Sequence, residues 1–62
     1  MLNIGKEYRH KNKPYTAKIT QLNDTHVMCR VMQDQKTLNQ GESPILQRGI
    51  WLRKEYFEER YQ

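Results

Sequence analysis

The chain has 62 residues, of which 35% are hydrophobic and 29% charged, and it carries a formal net charge of +4. A chain this short is a single domain over residues 1–62, buries only roughly 60% of its unfolded surface, and has no room for a deep active site. Its one cysteine, Cys29, excludes an internal disulfide and with it the secreted, disulfide-stapled class, so a reducing cytoplasm is expected.

In chain order, Met1 to Gly5 reads as a lead-in anchored by Ile4, and Gly5 as a bend. Nothing there has the continuous apolar core of a signal peptide, and no segment approaches the ~20 apolar residues that span a bilayer. Lys6 to His10 alternates weakly, with Tyr8 the large residue able to face a core. In Lys11-Asn12-Lys13-Pro14, Pro14 lacks a backbone donor and moves Lys13 away from helical angles, which predicts a turn.

Tyr15 to Met32 holds the strongest pattern. Tyr15, Ala17 and Ile19, and then Val27, Cys29 and Val31, recur at the period of two that marks half-buried strands. Asn23-Asp24-Thr25 between them predicts a hairpin turn, because short Asn and Asp side chains bond the local backbone. Gln33 to Pro44, with Leu38 its one apolar residue, is a long connection of the kind that is mobile or functional. Ile45–Arg48 and Gly49–Leu52 read as one or two short strands, with Gly49 at a turn or bulge and Trp51 packing across the end of a barrel or out to a partner. From Arg53 the residues favour helix, and Phe57 and Tyr61 share one face. So short a helix is unstable alone and has to dock on the sheet.

These elements predict a mainly β domain, a partly open antiparallel barrel of four or five strands with a short C-terminal helix. The expected core is Ile4, Tyr8, Tyr15, Ala17, Ile19, Leu22, Val27, Cys29, Val31, Ile50, Leu52 and Phe57.

Three groups of residues carry chemistry. Between Lys6 and Lys18 five cations face one carboxylate, Glu7, so this span holds the whole charge excess. Tyr8, Arg9, His10, Lys11, Lys13, Tyr15 and Lys18 therefore form a candidate nucleic-acid site, with cations to neutralise phosphates and tyrosine faces to stack on unpaired bases. The competing reading is a solvated hairpin with Tyr8 and Tyr15 in the core. Met28, Arg30 and Met32 alternate away from Val27, Cys29 and Val31, and with Trp51 they form a candidate adaptable surface for a protein partner, unless a small barrel buries both sides of its central strand. His10, His26 and Cys29 cannot supply the four paired ligands of a structural zinc site. No nucleophile-base arrangement, phosphate loop or carboxylate pair stands at a recognisable spacing, so neither enzyme activity nor a cofactor is expected.

Gly5-Lys6-Glu7-Tyr8-Arg9, then Lys13-Pro14-Tyr15 entering an alternating hairpin, and finally Ile50-Trp51-Leu52-Arg53 followed by Phe57, resembles the small SH3-like barrels encoded by phages and prophages. The resemblance covers most of the chain and departs from that pattern in the connection Gln33 to Pro44. It implies the barrel fold, a mobile-element origin and a cytoplasmic place in a bacterial host. Trp51-Leu52-Arg53-Lys54-Glu55 is also similar to the entry into the last helix of winged-helix excisionases, basic DNA-bending factors. Those proteins open with a helix-turn-helix, where residues 6 to 32 here have strand period. The expected role is a non-enzymatic adaptor or inhibitor that binds a host or phage protein; the alternative is a DNA- or RNA-binding module. An open sheet edge would also accept a second copy, as a homodimer.

Overall fold

The computed structural model describes residues 2–62, and within them the chain is mainly β. Four strands, β1 (Glu7–Arg9), β2 (Tyr15–Leu22), β3 (His26–Gln33) and β4 (Ile45–Arg53), form one antiparallel sheet in sequence order, and the helix α1 (Lys54–Arg60) follows without a break. The hairpin between β2 and β3 forms because the Asn23 side-chain oxygen accepts from the backbone N–H of Thr25 at 2.9 Å and of His26 at 2.7 Å. This local substitute for backbone pairing is what lets Asn end a strand.

Register assigns the two faces. Tyr8 lies opposite Ala17, Ala17 opposite Val31, and Ile19 opposite Cys29, so Tyr8 of β1, Ala17 and Ile19 of β2, and Val27, Cys29 and Val31 of β3 share an inner face. The docked helix covers that face. Phe57 is fully buried there, its ring edge-on to Tyr8 at 5.4 Å and stacked on Tyr61 at 4.6 Å. Tyr61 thus belongs to the core as well, while Tyr15, Leu22, Ile50 and Leu52 pack around its rim, half-buried.

One expectation is corrected at the N-terminus, and on β4 one of two open readings is found. Ile4 is 62% exposed, and Leu2 packs against the core in its place. The cause is a turn: the Lys6 N–H bonds the Asn3 carbonyl at 3.3 Å, Gly5 takes φ +86°, and Ile4 is left at the solvent-facing corner. Met1, the other end of that lead-in, lies outside the described residues. The two segments around Gly49 are one continuous strand, whose register with β3 slips twice. Between the pairs Cys29–Ile50 and Val31–Gln47, Arg48 and Gly49 together oppose Arg30; between Val31–Gln47 and Met32–Ile45, Leu46 is the extra residue.

The long connection is braced at both ends. The Gln33 N–H reaches the Pro44 carbonyl at 2.7 Å, the Asp34 N–H reaches the Pro14 carbonyl at 2.8 Å, and residues 35–37 make a short 3-10 turn.

The two edges of the sheet differ. Beyond α1, the Arg9 N–H bonds the Gln62 carbonyl at 2.8 Å, the Gln62 N–H returns to the Arg9 carbonyl at 2.9 Å, and the Lys11 N–H bonds the Arg60 carbonyl at 2.7 Å. The last residues therefore cover the edge of β1. Among the described residues β4 has one strand neighbour, β3, so its other edge is open.

Candidate binding surface

The seven residues of the basic hairpin do not share one surface. Tyr8 is 7% exposed beneath α1, and its hydroxyl accepts the Asn3 N–H at 2.9 Å. Tyr15 is half-buried on the inner face. Arg9 lies on the outer face, where its guanidinium grips both carboxylate oxygens of Asp34; the pairing raises the arginine's pKa and holds the Asp34 carboxyl below its ordinary range. The His10 Nδ1 accepts the N–H groups of Asn12 and Lys13, each at 3.0 Å, and its ring stands edge-on to Tyr15 and Tyr61. Burial, and then Lys13 and Arg60, push the imidazole pKa down. Lys11 donates to the Glu58 carbonyl at 3.3 Å. Lys13 and Lys18 are exposed, Lys13 at the hairpin tip and Lys18 on β2.

The second group does come together. Met28, Arg30 and Met32 occupy the outer face of β3, with Trp51 directly opposite Met28 and Ile45 opposite Met32. Trp51 is 44% exposed and points outward beside Met28, not across the end of the sheet. Both methionines are half-buried, and Arg30 is exposed. On the same face Lys18 lies opposite Arg30, and Arg53 opposite His26. The side chains of Lys18, Arg30 and Arg53 enter no hydrogen bond or ion pair among the described residues.

Sequence reasoning missed a third feature. Behind the open edge of β4 the inner face opens into a cleft of about 360 Å³, floored by Val31, Ile50 and Leu52 and walled by Leu46 and Tyr56. Arg60 stands at its rim, its guanidinium 3.7 Å from the centre of the Tyr56 ring. Among the described residues no carboxylate lines this cleft. The four-residue spacing of Tyr56 and Arg60 on a helix was the one available signal; the bulge that brings Leu46 to the cleft has no signature in the alternation.

Cys29 is fully buried, and burial pushes its thiol pKa up, the opposite of what a reactive thiolate requires. Among the described residues no three His, Cys, Asp or Glu side chains gather where they could hold a metal ion, and no helix is long and apolar enough to cross a membrane. No protein-family model, curated protein or solved structure matches the chain.

Proposed function

We propose that this protein is a non-enzymatic binding module, an SH3-like accessory protein of a phage or prophage, that acts as an adaptor or inhibitor by capturing an extended segment of a host or phage protein along β4. The observation that carries this reading is the open edge of β4, nine residues long, beside an apolar cleft. An open edge presents a row of unpaired N–H and C=O groups, and main-chain pairing to an added strand supplies affinity while pockets for alternate side chains supply selection. Side chains of the captured segment on one side would enter the cleft, and those on the other would meet Trp51 and the outer face.

A tagged copy expressed in a bacterial host, with the co-purifying protein identified by mass spectrometry and the complex compared with the free protein by amide hydrogen exchange, tests this. Slowed exchange confined mainly to residues 45–53 is expected. Protection at the hairpin tip or on α1, with β4 unchanged, would refute strand capture.

A second reading, nucleic-acid binding, has one observation in its favour: Lys18 and Arg30 lie directly opposite each other near the exposed Trp51. Cations beside an aromatic face suit single strands. That reading places the contact on the outer face and away from the hairpin, and co-purified nucleic acid would choose it.

A further inference from the structure

We infer that the segment captured by β4 is acidic and alternating, with apolar side chains toward the cleft and carboxylates toward the outer face; this rests on the strand-capture reading above. A strand added to a sheet points successive side chains to opposite faces, so the two faces flanking β4 select independently at odd and even positions. On the inner side the segment meets Leu46, Ile50, Leu52 and Tyr56, a surface that favours aliphatic or aromatic groups.

The outer side of β4 is cationic. The strand β4 carries Arg48 and Arg53 and no carboxylate. One strand further in, Arg30 has Lys18 directly opposite on β2 and the Arg48–Gly49 bulge opposite on β4. Like charges facing each other across strands destabilise a sheet. The acid paired into this row is Glu7, opposite Lys18 at the far edge, whereas Arg9, the remaining cation of β1, already has Asp34. An acidic segment beside β4 brings carboxylates next to Arg53 and Arg48 and within reach of Arg30. A second copy of β4 would instead bring two more arginines to the same place. A nucleic acid would meet the cations but would leave both the cleft and the backbone edge unused.

The test uses four probes with the full chain: an eight-residue peptide of alternating Glu and Leu, a peptide of the same composition with the Glu and Leu in separate blocks, the alternating peptide with Lys for Glu, and oligo(dT). Amide shifts and exchange along residues 45–53, together with Trp51 fluorescence, report binding. The alternating acidic peptide is expected to protect the β4 amides and the other probes to bind at least about tenfold more weakly. Arg53→Gln and Arg30→Gln are each expected to weaken it roughly two- to fivefold, the range of exposed ion pairs, while Leu46→Ala weakens it without changing its salt dependence. If the Lys peptide or the blocked peptide protects β4 equally well, the acidic alternation is wrong and strand capture survives. If no peptide perturbs the β4 amides, strand capture fails and the inference falls with it. Oligo(dT) shifting Trp51 and Arg30 where the peptides do nothing would assign the outer face to nucleic acid and overturn both.

Discussion

Phe57 is the side chain on which the docking of the helix depends. It is fully buried between Tyr8 and Tyr61, and it is the buried residue of α1. At about 0.05–0.15 kcal/mol per residue, a domain of this length has roughly 3–9 kcal/mol of stability. Replacing a buried Phe with Ala costs about 3–5 kcal/mol, so Phe57→Ala is expected to unfold much of the population, whereas Phe57→Leu should cost about 1–1.5 kcal/mol. Urea unfolding followed by circular dichroism measures both, and an Ala variant that loses under ~1 kcal/mol would mean that the helix is held elsewhere. His10 supplies a pH effect. Its imidazole is held below the ordinary value of about 6.5 by burial and by Lys13 and Arg60, and its neutral Nδ1 accepts two backbone N–H groups. Above that ordinary value both folded and unfolded chains carry the neutral ring. As pH falls below it the unfolded chain takes up the proton first, so stability is present above about pH 6.5 and is lost as pH drops toward the depressed folded value. Melting temperature followed from about pH 7.5 to 5 should therefore fall more steeply for the native chain than for His10→Asn, and parallel curves would show that His10 contributes nothing.

At the scale of elements, α1 illustrates why short helices need partners. It has seven residues and no side-chain cap at Arg53, too little to persist alone. Its stability comes from the Phe57–Tyr61 stack against the inner face and from the main-chain bonds of residues 60–62 to residues 9–11. A double-mutant cycle with Phe57→Leu and Tyr61→Leu should give a coupling of about 0.5–1.5 kcal/mol, the usual value for a buried aromatic pair. A coupling near zero would reduce the stack to two independent burials. The strands, the Asn23 turn and the pairing of Phe57 with Tyr61 were legible in the sequence because each has a side-chain period or a capping residue. The cover on β1 was not, since it is made of backbone groups that any residues could supply. Ile4 misled for a related reason: hydrophobicity predicted burial, but the φ of +86° at Gly5 decided which way the corner faced. The outward placement of Met28, Arg30 and Met32 followed from parity, while the sides taken by Trp51 and Leu46, and with them the cleft, depended on a strand whose register slips, which parity does not predict.

At the scale of the whole molecule, charge is redistributed by folding. The cations concentrated between Lys6 and Lys18 are separated: Arg9 goes to Asp34, Lys11 to the carbonyl of Glu58 on a helix that also carries Glu55 and Glu59, and Lys18 to the outer face. The basic hairpin of the sequence is therefore partly neutralised in space, Lys13 stays exposed at its tip, and Lys18, Arg30, Arg48 and Arg53 put further positive charge on β2, β3 and β4. This has a consequence for self-association, the other fate open to an exposed edge. Pairing β4 with β4 of a second copy would set Arg48 and Arg53 of each near those of the other, and the repulsion is screened only when the Debye length shrinks from roughly 10 Å at 0.1 M salt to about 3 Å at 1 M. Light scattering after size exclusion should accordingly find a monomer at low salt, with any dimer growing as salt rises. Capture of an acidic segment has the opposite sign, weakening as salt rises, so the two uses of β4 are separated by the direction of one titration. A dimer that tightens as salt falls would need opposite charges across its interface, which β4 lacks; the carboxylates of α1 against the hairpin lysines of a second copy would then be the contact, and the edge would be left free for its segment.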